Sequence, residues 1–190
     1  MVLPALYELF TRGLLPDRWK LVGNGRGDVA HEDFHAHIHD SLEEFADTPE
    51  PEAWKKFSGN VLFAGGGFQD EDPGSLLDAI EEAKQDLGDE AQLIHYLAIP
   101  PQTFEATTKA IKAHGLNTGS KVVYEKPYGT SPESFKELDS LVHTVFDEEQ
   151  VYRIDHFLGK EATQNLHMLR FANKLFAEAW NCDHIEEVQI

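Results

Sequence analysis

The chain has 190 residues, 41% of them hydrophobic, and this length and apolar content suffice for one buried core. Its 16 Lys and Arg against 34 Asp and Glu give a formal net charge of −18 with histidine neutral. Such a charge opposes association with nucleic acid or with anionic membranes, so neither is an expected partner. An anionic ligand would need a few locally placed cations, which makes single Arg and Lys positions informative.

The cysteine content and the N-terminus indicate the cellular compartment. Cys182 is the only cysteine, so no intrachain disulfide and no thiolate metal cluster can form. The N-terminus lacks a basic region followed by a long apolar run, and no segment has the length needed to span a bilayer. These features predict a soluble, cytoplasmic protein.

Apolar spacing and chain-breaking residues predict alternating helices and strands. The helices are predicted from the N-terminus to Gly13 and over residues 31–45, 76–87, 104–114, 132–146 and 160–173. The strands are predicted over residues 19–22, 61–64, 93–99, 121–125 and 151–156. The acidic, proline-containing segment 48–54 is predicted to be a connection or a helix start, and the tail 184–190 alternates like a strand.

This alternation predicts an α/β fold with a doubly wound parallel sheet, whose ligands bind at the carboxyl ends of the strands. The loops expected at that edge are 23–26, 65–70, 98–104, 125–129 and 155–160. Residues in these loops are therefore the candidates for a binding site.

Gly23-x-Gly25-Arg26 follows a predicted strand, although the rest of a G-x-G-x-x-G fingerprint is absent. A guanidinium at this position can bind a ribose 2′-phosphate bidentately, which favours NADP over NAD. The alternative is a glycine-rich turn with a solvated arginine, and the motif alone favours that alternative.

Glu125-Lys126-Pro127 places an ammonium beside a rigid turn, where it can contact a nicotinamide ribose and a sugar hydroxyl. An exposed lysine at a strand end is the alternative.

Residues 153–161 hold the densest set of polar groups, and a turn at Gly159 would let His156 and Lys160 converge on an anion. Composition alone favours a surface salt bridge at a strand-to-helix junction.

The string Arg-Ile-Asp-His-Phe-Leu-Gly-Lys-Glu over residues 153–161 resembles the signature of the glucose-6-phosphate dehydrogenase family, which usually has tyrosine where Phe157 stands. The other resembling segments follow in family order at residues 3–7, 96–101, 125–129, 146–150, 164–166, 169–173 and 180–181. The resemblance therefore extends along nearly the whole chain.

The resemblance implies a Rossmann-like NADP-binding domain over residues 1–174 that lacks its first strand, and the start of a second β+α domain over 175–190. It implies that the parent enzyme oxidises glucose 6-phosphate to 6-phosphogluconolactone with NADP, as the first step of the oxidative pentose phosphate pathway. It also implies a homo-oligomer formed through the second domain.

The resemblance also implies roles for single residues. His156 and Lys160 match the residues that hold the sugar 6-phosphate, and Lys126 matches a lysine shared between substrate and cofactor. Asp155 matches the carboxylate that orients a catalytic histidine, while Phe157 lacks the hydroxyl of the family tyrosine. The cofactor-lining positions are implied at Arg26, for the 2′-phosphate, and at Gly67, Phe68 and Phe104.

Two family features are absent from the sequence: the Gly-x-x-Gly-Asp-Leu turn that cradles the pyrophosphate and the general-base histidine of the following domain. We therefore expect a chain cut at both ends and catalytically inactive by itself. Two alternatives are another Rossmann-type sugar oxidoreductase that shares Glu-Lys-Pro, and a non-catalytic truncated product.

Four histidines lie close together at positions 31, 35, 37 and 39. On a helix His35 and His39 share a face, but His37 does not. Because zinc sites need three or four convergent ligands, a solvated polar face is favoured and no metal is expected.

Overall fold

The structure is a computed structural model that describes residues 2–27, 29–46, 48–88 and 90–189. It forms two compact units, residues 1–152 and residues 153–190, which are described separately below. No helix in these described ranges is long and apolar enough to cross a membrane.

The first unit alternates helices and short strands, as predicted. Its helices are α1 (Val2–Thr11), α2 (His31–Phe45), α3 (Pro51–Ser58), α4 (Leu76–Leu87), α5 (Phe104–Ala113) and α6 (Pro132–Val142). Its strands are β1 (Leu21–Asn24), β2 (Val61–Ala64), β3 (Ile94–Leu97), β4 (Lys121–Tyr124) and β5 (Val151–Arg153), the last of which ends at the boundary between the units.

The described strands form two sheets, β1-β2 and β3-β4-β5, instead of the single sheet that the sequence predicts. Strand β1 pairs in parallel with β2, with Asn24 opposite Ala64, and β3 pairs in parallel with β4, with Leu97 opposite Tyr124. The α/β class and the parallel pairing of the strands are confirmed.

An aromatic cluster packs the half of the unit that contains β1 and β2. Phe57 is fully buried at its centre, and its ring lies 5.2 Å from that of Tyr7 and 5.3 Å from that of Trp19. Proline at the first position of α3 suits a helix start, since it lacks a backbone N–H that a helix would leave unpaired there. Of the two alternatives predicted for residues 48–54, a connection or a helix start, the helix start is therefore confirmed from Pro51 onward.

A second core packs one face of β3 and β4 against α5 and α6. Its fully buried members include Val122, Tyr124 and Val142. The Tyr124 hydroxyl lies 2.7 Å from Thr108 Oγ1. The Thr108 hydroxyl donates to the Phe104 carbonyl oxygen at 2.6 Å. The buried hydroxyls are thus hydrogen-bonded, as low-dielectric surroundings require.

The first strand lies at Leu21–Asn24, two residues later than predicted, so Gly23 belongs to a strand and not to a turn. The reason is packing: a Cβ on Gly23 would lie 2.5 Å from Cζ of Phe34 on α2. Any larger residue at this position would displace the Phe34 ring, so glycine suits the close approach of the helix to the strand.

The second unit contains α7 (Glu161–His167), a π turn (Met168–Ala172) and α8 (Lys174–Ala177). The strand predicted over 184–190 is wrong for residues 185–189, which belong to no strand. An alternating pattern forms a strand only where a ladder partner is available, and the described residues offer none to this segment. Residue 190 lies outside the described residues.

Candidate functional site

The carboxyl ends of β1 and β2 lie side by side, so the loops that follow them meet. Asn24 Nδ2 donates to the carbonyl oxygens of Ala64, at 2.9 Å, and Gly67, at 3.2 Å. In return, the Gly67 N–H donates to the Gly25 carbonyl oxygen at 2.8 Å. These bonds join loop 24–26 to loop 64–67 and hold Arg26 at the edge of the sheet.

Glycines let the loop after β2 fold tightly enough to reach Arg26. Gly66 and Gly67 have φ of +83° and +77°, in the left-handed region that side chains disfavour. A Cβ on Gly67 would lie 3.8 Å from the Cα of Arg26, whereas one on Gly74 would lie 2.5 Å from the Gly65 carbonyl oxygen. The loop therefore approaches Arg26 backbone to backbone.

The two predicted cofactor-lining phenylalanines lie in different surroundings. The half-buried Phe68 ring packs 5.4 Å from the His114 ring, at the margin of the second core. Phe104 is 1% exposed, and its ring lies edge-on to Tyr124. It is therefore a residue of the second core, and its contact with a cofactor stays a prediction.

The Glu-Lys-Pro motif follows β4 at the carboxyl edge of the second sheet. Lys126 is exposed, and a cis peptide bond joins it to Pro127. The hydroxyl of Tyr96, from β3, donates to Glu125 Oε1 at 2.7 Å. Partial burial, together with this hydrogen bond and the carboxylate charge, raises the pKa of Tyr96 to about 12. The phenol therefore stays protonated and keeps Glu125 in place beside Lys126.

The loop that carries Lys126 is fixed from its other end by α6. The Tyr128 ring packs edge-on against Tyr124, at 5.2 Å, and against Phe135, at 5.6 Å. Gly129 has φ of +87°, and a Cβ there would lie 2.7 Å from the backbone N and Cα of Phe135. Ser131 caps α6 by accepting from the Ser134 N–H. These contacts of residues 128–131 fix the loop that carries Lys126.

In the second unit, residues 155–160 form a compact turn. Asp155 Oδ1 accepts from the Phe157 N–H at 3.0 Å. The Phe157 ring contacts both candidate phosphate ligands: its centroid is 4.4 Å from the His156 ring centroid and 4.4 Å from Lys160 Nζ. His156 and Lys160 are both exposed, and their convergence on one anion stays a prediction.

The structure brings the predicted residues together in three groups. Arg26 and Gly67 meet across the loops after β1 and β2. Lys126 lies with Glu125 at the end of β4, in the same unit. Asp155, His156 and Lys160 belong to one turn of the second unit.

Sequence reasoning missed Asn24 and Tyr96. Asn24 lies in the Gly-Asn-Gly-Arg segment, but its two hydrogen bonds reach residues 40 and 43 positions away. Tyr96 is one of the resembling residues 96–101, yet its partner lies 29 positions away on the neighbouring strand. Both contacts become visible only once it is known which strands are neighbours.

His39, Asp40 and Glu43 on α2 form a group with ligand atoms within 4.8 Å of one another, the one such group in the described ranges. His39 Nδ1 lies 3.7 Å from Glu43 Oε1, and the His39 ring packs edge-on against Trp54. Both carboxylates are exposed, and nothing else about the group points to an ion. The expected absence of a metal stays a prediction.

The chain is similar to known proteins over nearly its whole length. The family model described as "Glucose-6-phosphate dehydrogenase, NAD binding domain" matches residues 1–165. Glucose-6-phosphate 1-dehydrogenase 2 of Mycobacterium bovis is 39% identical over 196 residues, covering 100% of this chain and 38% of the relative. The cytoplasmic glucose-6-phosphate 1-dehydrogenase 6 of Arabidopsis thaliana is 36% identical, covering 98% of this chain and 38% of the relative.

Solved structures agree with these relatives. A glucose-6-phosphate dehydrogenase in complex with its substrate glucose 6-phosphate superposes with a TM-score of 0.84 at 32% identity, covering 96% of this chain and 38% of that one. Glucose-6-phosphate 1-dehydrogenase of Mycobacterium avium gives a TM-score of 0.79 at 27% identity, with the same coverage.

The chain thus spans about 38% of the length of the relatives it matches. The match to the dinucleotide-binding model shows a nicotinamide dinucleotide as the cofactor. The Rossmann-like fold and the resemblance drawn from residues 153–161 are confirmed. The chain belongs to the glucose-6-phosphate dehydrogenase family of oxidoreductases and corresponds to the N-terminal, dinucleotide-binding part of those enzymes.

Proposed function

We propose that this chain supplies the NADP-binding and sugar-phosphate-binding residues of an enzyme that oxidises the C1 hydroxyl of glucose 6-phosphate to the lactone. The observation that carries the proposal is the hydrogen-bonded joint between loops 24–26 and 64–67, which holds Arg26 at the carboxyl edge. Ligands of doubly wound folds bind at that edge.

The cofactor assignment to NADP depends on Arg26. Its guanidinium offers a planar pair of donors that suits a phosphate bidentately, and it follows β1 at the carboxyl edge of the sheet. In a chain with a net charge of −18, an exposed arginine at this edge is a local exception that suits an anionic group. The Gly67 backbone and Phe68 complete the surface beside it.

The sugar-phosphate assignment depends on His156 and Lys160. Both flank the Phe157 ring, and a related enzyme of known structure binds glucose 6-phosphate. An ammonium and an imidazole N–H together provide charge-assisted hydrogen bonds to a phosphate. Phenylalanine at position 157 contributes no hydroxyl, so the His156 imidazole and the Lys160 ammonium carry this contact.

Two further residues take part in the proposed reaction. Lys126 contacts both the sugar and the nicotinamide ribose from its fixed loop, while Asp155 orients a base histidine that lies outside this chain. NADP, when bound, would supply the hydride acceptor for C1, and the base histidine would take the hydroxyl proton. We expect the 190-residue chain to bind both ligands without steady formation of NADPH.

Isothermal titration calorimetry with glucose 6-phosphate and glucose tests the sugar-phosphate site. The chain should prefer the phosphorylated sugar, and Lys160→Ala should weaken its binding about tenfold, because hydrogen bonds to charged groups have that strength. Lys174→Ala, which removes a lysine from α8 of the same unit, is the matched control and should leave binding unchanged. Equal affinity for the two sugars would refute the assignment.

Two properties of the whole protein belong to the same proposal. The second domain begins at residue 175 and forms the contacts of a homo-oligomer. The protein acts in the cytoplasm, where the related Arabidopsis enzyme is placed by its name.

A further inference from the structure

We propose that Asn24 is a positioning residue that sets Arg26 for the 2′-phosphate of the cofactor, and so decides the preference for a phosphorylated ribose. The inference rests on the proposed NADP function and adds to it a residue that never touches the ligand. Three features carry it: the bonds made by the Asn24 amide, the close approach of Gly67 to Arg26, and the surroundings of the guanidinium.

The Asn24 amide reinforces the joint between the segments that follow β1 and β2, at the point where the strand pairing ends. Asn24 is the last residue of β1 and lies opposite Ala64, the last residue of β2. Beyond it the ladder weakens, because the Gly25 N–H reaches the Ala64 carbonyl oxygen at 3.4 Å. Asn24 Nδ2 contacts that same oxygen at 2.9 Å and the Gly67 oxygen at 3.2 Å, so both amide protons are used.

The segment that Asn24 holds is the one against which Arg26 lies. The Gly67 N–H donates to the Gly25 oxygen at 2.8 Å, and a Cβ on Gly67 would be 3.8 Å from the Arg26 Cα. The backbone of Arg26 is therefore located by loop 64–67, and that loop is located by the Asn24 side chain. A displaced loop would move the start of the arginine side chain.

The Arg26 side chain is exposed, so packing around it does less to fix its position than it does for a buried residue. Within the described ranges, no carboxylate pairs with its guanidinium, so a fixed backbone is the main restraint on where the charge points. Bidentate binding of phosphate needs the planar donors at a defined angle, and loss of that angle weakens the pair while the charge remains. An uncharged amide at position 24 supports the loop without competing for the phosphate.

Calorimetry on the full chain with adenosine 2′,5′-bisphosphate and adenosine 5′-monophosphate tests the inference, because the two ligands differ only in the 2′-phosphate. Asn24→Ala should weaken bisphosphate binding about tenfold, the effect expected for loss of a charge-assisted bond between Arg26 and the 2′-phosphate. It should leave monophosphate binding nearly unchanged. Asn60→Ala removes a comparable amide, whose Nδ2 donates to the Lys56 oxygen at 3.1 Å, and should change neither affinity.

An Asn24→Ala variant that keeps the full preference for the bisphosphate, or that loses both affinities equally, overturns the inference. A wild-type chain with no preference refutes the NADP assignment itself, and the inference falls with it, so the two failures are distinguishable. If Asn24→Ala does not fold, Asn24→Ser is measured by the same criterion, because its short side chain carries one donor and cannot bridge both carbonyl oxygens.

Discussion

Replacing Tyr96 with phenylalanine removes one hydroxyl and leaves its ring, so it isolates the hydrogen bond to Glu125. The pKa of Tyr96 is raised from 10.0 to about 12, first by partial burial and then by Glu125, and the whole shift would correspond to roughly 2.7 kcal/mol for a fully shielded group. Burial accounts for the largest part of the shift and Tyr96 is 40% exposed, so the hydrogen bond itself contributes about 1 kcal/mol. A single hydrogen bond contributes about the same amount.

The direction of the pH dependence follows from the raised pKa of Tyr96. The stabilisation is fully present below pH 10, the ordinary pKa of the phenol, and is lost as the pH rises toward the pKa of about 12 in the folded protein. Tyr96→Phe should therefore lower the free energy of unfolding by about 1 kcal/mol at neutral pH, and the difference from wild type should shrink above pH 10.

Urea unfolding of wild type and variant across this pH range measures the difference, and tyrosinate absorbance follows the titration itself. Tyr152→Phe, on an exposed tyrosine of β5, serves as the control and should change the free energy of unfolding little. Glu125→Gln should lower the pKa of Tyr96, because the carboxylate charge is one of its causes. A Tyr96→Phe chain as stable as wild type at neutral pH would refute this account of the pair.

Three other predictions concern stability. Phe57→Ala should lower the free energy of unfolding by about 3–5 kcal/mol in a chemical denaturation curve, since it empties the fully buried centre of an aromatic cluster; a loss below about 1 kcal/mol would contradict that packing. Gly129→Ala should lower the melting temperature more than Gly119→Ala, because both have positive φ but only Gly129 faces backbone at 2.7 Å; equal effects would contradict the close approach. His143 has a raised pKa, through hydrogen bonds to a backbone carbonyl and then to a carboxylate. His143→Gln should therefore lose stability below pH 6.5 and approach wild type as the pH rises through the raised pKa, and a pH-independent difference would contradict this.

Much of the fold could be predicted from local patterns. Helical spacing identified α4 and α5, and the apolar runs before Gly65 and Pro100 identified β2 and β3. For the acidic segment before Trp54 a connection and a helix start both stayed open, because its prolines and acids are equally typical of a connection and of a first helical turn. The strand predicted for the tail after residue 184 is wrong, because an alternating pattern alone does not supply a partner strand.

Prediction of the site residues from the sequence is limited in the same way. Arg26, Lys126 and Lys160 could be proposed from sequence because each follows a strand end or belongs to a dense motif. Asn24 could not, since its role depends on carbonyl oxygens 40 or more positions away that only the pairing of β1 with β2 brings near. Gly23 was assigned to a turn for a related reason, because its closeness to Phe34 is a tertiary contact.

The central claim is that one chain carries both a 2′-phosphate site and a sugar-phosphate site. Two-dimensional NMR of the ¹⁵N-labelled chain, titrated separately with adenosine 2′,5′-bisphosphate and glucose 6-phosphate, tests it most directly. The nucleotide should shift the amide signals of residues 24–26 and 65–67, and the sugar phosphate those of residues 156–160. Shifts elsewhere, or identical shifts from both ligands, would contradict the assignment of these loops.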